Sequence, residues 1–147
     1  MAIGPRPSDI PRIRTTLKVY RVSAIVTGVF LLLLVAMMVL RYGYGVDIEL
    51  NGPFGFLVLT PRELIEGTDL STGILILHGW LYVVYLGCDF LLWRLLRFSF
   101  GRFLFIALGG VVPGLSFYFE FRVPPYVEKR ITQIEADAVP AEAEAVA

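Results

Sequence analysis

The chain has 147 residues, of which 56% are apolar and only 18% charged, with a mean hydropathy of +0.71 and a formal net charge of zero. A soluble domain of this size carries about 25% charged residues, and zero net charge removes the electrostatic case for nucleic acid. The single cysteine, Cys88, excludes an internal disulfide, and the single histidine, His78, excludes a haem held by two histidines of this chain.

Residues 1–11 are rich in Pro and Gly and are expected to be disordered. Arg12, Arg14, Lys18 and Arg21 then alternate with Ile13, Leu17, Tyr20 and Val22. This reads either as a basic amphipathic lead-in at lipid headgroups or as the basic flank of a span. Residues 1–18 are thus a cytoplasmic N-terminal segment, and 19–122 a three-span membrane domain. The first span is placed at about 20–41, because 22–40 carries no charge and is close to the length needed to cross the hydrocarbon core. A cleaved signal peptide has a shorter apolar run followed by small residues; here Arg41-Tyr42-Gly43-Tyr44 follows, so the span is read as retained.

Residues 43–71 read as an acidic loop containing Asp47, Glu49, Glu63, Glu66 and Asp69. Its apolar patch 54–59 is too short to span and is assigned to the interface. Thr60 as N-cap, Pro61 in the first turn and Glu63 at the third position predict a short helix over 61–66, stopped by Gly67. The second span is placed at about 72–95 and the third at about 102–121, joined by a tight turn at 97–101. Pro113 is expected to kink the third span and Pro124-Pro125 to end it. Residues 123–147 are expected to be a mostly disordered acidic tail. The fold class is therefore all-α: a polytopic membrane protein built as a compact bundle of three transmembrane helices.

Basic residues flank the first span at Arg12, Arg14, Lys18 and Arg21 and the hairpin turn at Arg94, Arg97 and Arg102. The positive-inside rule puts both regions in the cytoplasm, the acidic loop outside, and, with three spans, the C-terminus outside a cell (inner) membrane.

On the second span, His78, Tyr82, Tyr85 and Asp89 follow spacings of four, three and four and form one polar stripe. Such a stripe faces the bundle or a water-filled cavity. It serves as a proton or ligand path, or, in the more common case, as hydrogen-bonding glue between spans. A carboxylate at the depth of Asp89 needs a partner; Arg21 is expected to pair with it, Arg102 being the other candidate. Antiparallel alignment with the third span brings His78 level with Glu120 and predicts a hydrogen bond between them. Haem ligation by His78 with Met37 or Met38 is the weakest option, and no cofactor or metal site is assigned. Ala24 with Gly28 and Gly110 with Gly114 are small-residue pairs that let helices approach closely, and Gly79 and Gly87 are expected to receive the first span. No catalytic motif is present, so no enzyme activity is assigned.

Three segments resemble a known family: Tyr20-Arg21-Val22-Ser23-Ala24, His78-Gly79-Trp80-Leu81-Tyr82-Val83-Val84-Tyr85, and Val111-Val112-Pro113-Gly114 through Phe119-Glu120. Together they are similar to the small bacterial integral membrane proteins catalogued as domain of unknown function 3817. The resemblance covers roughly residues 17 to 122. It implies three spans, a His-Gly start to the second at His78-Gly79, and a break at Pro113-Gly114 before Glu120 ends the third. The family pattern often has a carboxylate in the first span, where this chain has Thr27 or a neighbour, and the middle loop here is longer. The family carries no established function. The expected role is an accessory or assembly subunit of a larger bacterial membrane complex, for example a respiratory one, with the lipid bilayer and other membrane subunits or a second copy as partners. The alternative is a small oligomeric transporter or proton-coupled module using the His78-to-Asp89 stripe.

Overall fold

A computed structural model describes the backbone of residues 5–146 and the side chains of residues 5–138. The expectations for residues 1–4 and 147 lie outside the described residues. The protein is mostly helical, with one small three-stranded sheet.

Helix α1 spans Ile10–Val39, preceded by a 3-10 turn at Pro7–Asp9 and continued by a π-helical turn at Leu40–Tyr44. The basic lead-in is therefore the first turns of α1 itself rather than a separate surface segment. Its apolar residues Ile13, Leu17 and Tyr20 are buried against the rest of the bundle. Helix α2 spans Leu70–Leu96 and starts on the side chain of Asp69, which accepts a hydrogen bond from the Ser71 amide at 2.9 Å. It ends at Arg97, whose φ of 50° is a left-handed cap. The stretches Pro7–Tyr44 and Leu70–Leu96 are each long and apolar enough to cross a membrane. Much of their outward surface is exposed valine, leucine and isoleucine.

The third expected span is not a single helix. Helix α3 covers only Phe100–Ala107, followed by a 3-10 turn at Leu108–Gly110 and an irregular segment before α4 at Leu115–Val146. Eight helical residues rise about 12 Å, far less than a hydrocarbon core of about 30 Å. Contacts show that α4 turns back rather than onward. Arg102 of α3 lies over the Tyr126 ring at 4.3 Å, and Phe105 packs edge-on against Phe119 at 5.1 Å. Rising numbers in α3 meet falling numbers in α4, so the two form an antiparallel helical hairpin. The same holds against α1, where Arg14 meets Glu135 and Arg21 meets Glu120. Pro113 thus marks a reversal, not a kink. Gly114 adopts a φ of +82°, a backbone conformation that glycine adopts at little steric cost.

Two consequences correct the sequence reading. The C-terminal segment is not a disordered tail from residue 123: Val123, Val127, Ile131 and Ile134 recur at helical spacing and are buried in the core with Ile13, Leu17 and Tyr20. Pro124 and Pro125 do not end the helix but lie within α4. Each removes a backbone hydrogen bond, at about 3 kcal/mol or more in a helix interior, and the apolar burial on either side outweighs that loss. Around Glu135, α4 also lies beside the start of α1, not at the opposite end as three spans require.

The expected loop 43–71 is instead a sheet that caps the bundle. Strands β1 (Val46–Gly52), β2 (Gly55–Pro61) and β3 (Thr68–Asp69) are antiparallel in the order β2-β1-β3. The predicted helix over 61–66 is a single 3-10 turn at Arg62–Leu64. Thr60 does not cap it; its hydroxyl donates to Glu49 at 2.8 Å.

Candidate functional site

The tip of the α3–α4 hairpin meets α1 and α2 about halfway along their length. A side chain at Gly28 would collide with Ser116 and Phe117, and one at Gly110 with the Tyr82 ring. Glycine at these two positions therefore sets the depth to which the hairpin inserts. The phenol of Tyr85 donates to the Ile106 carbonyl at 2.6 Å, and that of Tyr82 to the Ala107 carbonyl at 3.3 Å. These two bonds tie α2 to the buried carbonyls of the last α3 turn, where a helix end leaves carbonyls short of internal donors. The Tyr20 and Tyr85 hydroxyls lie 3.5 Å apart across the α1–α2 seam.

The polar stripe of α2 faces the bundle: His78, Tyr85 and Asp89 are buried and Tyr82 is half-buried. Its expected partners are different ones. Arg21 pairs with Glu120, Nε to Oε1 at 2.9 Å, and not with Asp89. The other candidate, Arg102, stacks on Tyr126 instead. The imidazole of His78 faces the backbone of Thr27 and Gly110, not Glu120. The reason is the reversal at residues 108–114: an onward helix would bring Glu120 to the sheet end beside His78, whereas the returning one brings it to the opposite end beside Arg21.

This leaves an unpartnered polar seam. Both carboxylate oxygens of Asp89, Nδ1 of His78, Oγ1 of Thr27 and Oγ of Ser116 are buried without a hydrogen-bond partner. Asp89 is only 1% exposed and lies near Tyr20, Tyr85 and Cys88, the last of which is hydrogen-bonded to Ser23. Ser116 does not stand out in sequence as a site residue; its place against Gly28 brings it to α1. Ala24 is fully buried in the α1 seam, as its small side chain implies. Gly79 and Gly87, expected to receive α1, face outward into open space.

A second polar centre clamps the sheet to the helices. Arg41, in the π-helical turn after α1, contacts both oxygens of Asp47 at 3.0 Å and reaches Asp69 at 2.8 Å. Ser71 at the start of α2 donates to Asp47 at 2.9 Å. Glu49 accepts from Thr60, from the Glu66 amide at 2.8 Å and from the Gly67 amide. The Gly67 amide, with Thr60 and Glu66, holds the Glu49 carboxyl below its ordinary value despite burial. For Asp69, burial pushes upward, but bonds from Thr72 and Ser71 and the Arg41 charge outweigh it and leave its carboxyl below the ordinary value.

The fold defines a helical protein with two candidate membrane spans, a helical hairpin inserted against them from one end, and a small sheet closing the other. The family model described as "Domain of unknown function (DUF3817)" matches residues 17–124, and the chain belongs to that family. That region runs from the first turns of α1 through the hairpin to the Arg21–Glu120 level of α4. No curated protein and no solved structure matches the chain.

Proposed function

We propose that this is an integral membrane protein that acts as a subunit of a larger membrane assembly, formed with other proteins or with further copies of itself. The observation that carries this reading is the hairpin tip. Residues 111–114 are irregular and exposed halfway along two apolar helices. Irregular backbone at membrane depth is tolerated only where protein or a water-filled cavity covers it. Beyond the tip only α1 and α2 continue toward the sheet, leaving a shelf that a neighbouring helix would fill. The outward Gly79 and Gly87 on α2 offer such a neighbour a close approach.

Orientation follows from charge. Arg12, Arg14, Lys18, Arg21, Arg94, Arg97, Arg102, Arg122, Lys129 and Arg130 all belong to the end of the bundle where the hairpin enters, while the sheet end is rich in Asp and Glu. The positive-inside rule then puts both the N-terminus and α4 in the cytoplasm. The test is purification in a mild detergent with mass spectrometry of co-purifying chains, together with photo-crosslinking from Val112. Crosslinks from Val112 to another chain are expected. A lone monomer that crosslinks only to lipid, under conditions that keep other membrane complexes intact, overturns the reading.

The unpartnered seam favours a second reading, a proton-coupled module. A bare carboxylate at the depth of Asp89 is costly, so it holds a proton or contacts water. His78, Thr27 and Ser116 continue the same seam toward the hairpin tip. Proton flux into proteoliposomes that is lost in Asp89→Asn and in His78→Ala supports it; wild-type vesicles as tight as empty ones dispose of it.

A further inference from the structure

Where α1 begins and α2 ends, the chain forms a half-open cavity of about 480 Å³ that the reading above leaves unused. Four arginines line it: Arg6 and Arg12 from the start of the chain, and Arg94 and Arg97 from the last turn of α2 and its cap. Among the described residues one carboxylate, Asp9, lines it too, and its Oδ2 accepts from the backbone amide of Arg6 at 3.4 Å. Leu91 and Leu95 form an apolar wall that leads along α2.

We infer that this cavity binds the phosphate group of an anionic phospholipid, with the acyl chains lying along the Leu91–Leu95 side of α2. Among the described residues, Arg6, Arg12 and Arg94 already outnumber the one lining carboxylate, and with Arg97 they converge on a space large enough for a phosphate and its glycerol. Guanidiniums present paired donors that match phosphate oxygens. The N-terminal pole of α1, a 30-residue helix, opens toward the same space and adds partial positive charge. The C-terminal pole of α2 opposes it, but a helix pole amounts to about half a charge, against the full charges of Arg6, Arg12 and Arg94. The cavity also lies at the end of two apolar helices, at headgroup level if they cross the bilayer, where basic clusters recognise anionic lipid. The inference rests on that membrane reading but not on any protein partner. A lipid headgroup and a free phosphate share the same recognising chemistry; the apolar wall is what favours the lipid.

The test uses the full chain, purified and delipidated in detergent, with native mass spectrometry against phosphatidylglycerol, phosphatidylcholine and inorganic phosphate. Thermal unfolding of each variant in the same detergent checks folding. Phosphatidylglycerol is expected to bind in preference to phosphatidylcholine. Each arginine removed is expected to weaken it about fivefold, so Arg12→Gln with Arg94→Gln weakens it about 25-fold. Arg122→Gln, a basic residue outside the cavity, leaves binding unchanged. Asp9→Asn removes the opposing charge and tightens binding, a gain that a damaged fold cannot mimic. Equal binding of the two lipids, or no response to Arg12→Gln/Arg94→Gln and to Asp9→Asn, overturns the inference. Inorganic phosphate binding as tightly as phosphatidylglycerol identifies a soluble-anion site and overturns the lipid assignment. A chain that stays dispersed without detergent overturns both this and the membrane reading, whereas loss of lipid binding alone leaves the subunit reading standing.

Discussion

Arg21 Nε lies 2.9 Å from Glu120 Oε1, and this pair ties α4 to α1 in the antiparallel sense. Residue 120 can meet residue 21 only if the chain reverses after α3. The returning helix then carries Glu135 to Arg14, closer still to the N-terminal end. The direction is testable without a high-resolution structure. In a Cys88→Ser background, Thr15→Cys and Glu128→Cys are expected to react with an impermeant maleimide from the same side of sealed vesicles, and Asn51→Cys from the other. Labelling of Glu128→Cys from the side that labels Asn51→Cys restores a third span.

The ion pair itself is unequal. The Arg21 side chain is 55% exposed, while that of Glu120 is 9% exposed. Solvent screening at the guanidinium limits the coupling to about 1 kcal/mol in a double-mutant cycle. Arg21→Gln is expected to destabilise more than Glu120→Gln, because it leaves the buried member without its cation. Thermal or denaturant unfolding in detergent measures both, and a coupling of zero would mean that apolar packing alone directs α4.

How much of this was legible in the sequence divides along one physical line. Apolar length reported α1 and α2 well, since an uncharged run of span length has few other uses. It failed for the third segment because hydropathy does not distinguish a helix that continues past Pro113 from one that reverses there: both bury the same residues. The glycines carried the missing signal, since Gly109 and Gly110 just before Pro113 leave Tyr82, Tyr85 and Phe119 room to pack on the tip. The sheet was legible too. Val46-Asp47-Ile48-Glu49-Leu50 alternates with period two, and glycines at 52 and 55 flank the Pro53-Phe54 turn. The charged face of β1 is the buried one, the reverse of the usual pattern, so the segment reads as an acidic loop. The stripe on α2 could be placed on the bundle face from spacing alone, whereas its partners could not, because they depend on the direction of α4.

Glycine contrasts make a separate test. Gly28→Leu drives a side chain into Ser116 and Phe117 and is expected to destabilise by about 1–3 kcal/mol through overpacking. Gly79→Ala and Gly87→Ala meet open space and are expected to stabilise the isolated chain by up to about 1 kcal/mol through helix propensity. If a partner helix docks on α2, Gly79→Leu abolishes its co-purification while leaving the isolated chain's unfolding midpoint unchanged or higher. Destabilisation by Gly79→Ala would mean that this face is packed within the chain itself.

The sheet cap is expected to be acid-labile. The Glu49 carboxyl sits below its ordinary value of 4.5 in the folded protein, chiefly through the Gly67 amide. A depressed carboxyl contributes stability that is fully present above the unfolded value and is lost as pH falls through the folded one. The cap is therefore intact at neutral pH and loosens below pH 4.5. Asp69, also depressed, adds to the effect in the same direction. Hydrogen exchange at the Glu66 and Gly67 amides reads this directly: their protection falls on acidification, and Glu49→Gln lowers it already at neutral pH. Protection that is the same in Glu49→Gln and wild type at neutral pH would assign the hold on this turn to the backbone instead.

Asp89 separates structure from function most sharply. A polar group that holds a fold together destabilises when removed, but both oxygens of Asp89 lack a partner, so it contributes no bond to lose. Replacing it with an apolar residue of similar size removes an unmet solvation need, which is about 1–3 kcal/mol for a buried polar group. Asp89→Leu is thus expected to raise the unfolding midpoint in detergent. Asp89→Asn, which keeps the shape and polarity but cannot ionise, is expected to remain near wild type. Infrared spectroscopy supplies an independent readout: a protonated-carboxyl stretch present in wild type and missing in Asp89→Asn marks this group as the proton holder. A lowered midpoint in Asp89→Leu would show that the carboxylate is bonded after all, through water or a neighbouring subunit. The seam at Asp89 would then be packing, and the proton-coupled reading would lose its carboxylate.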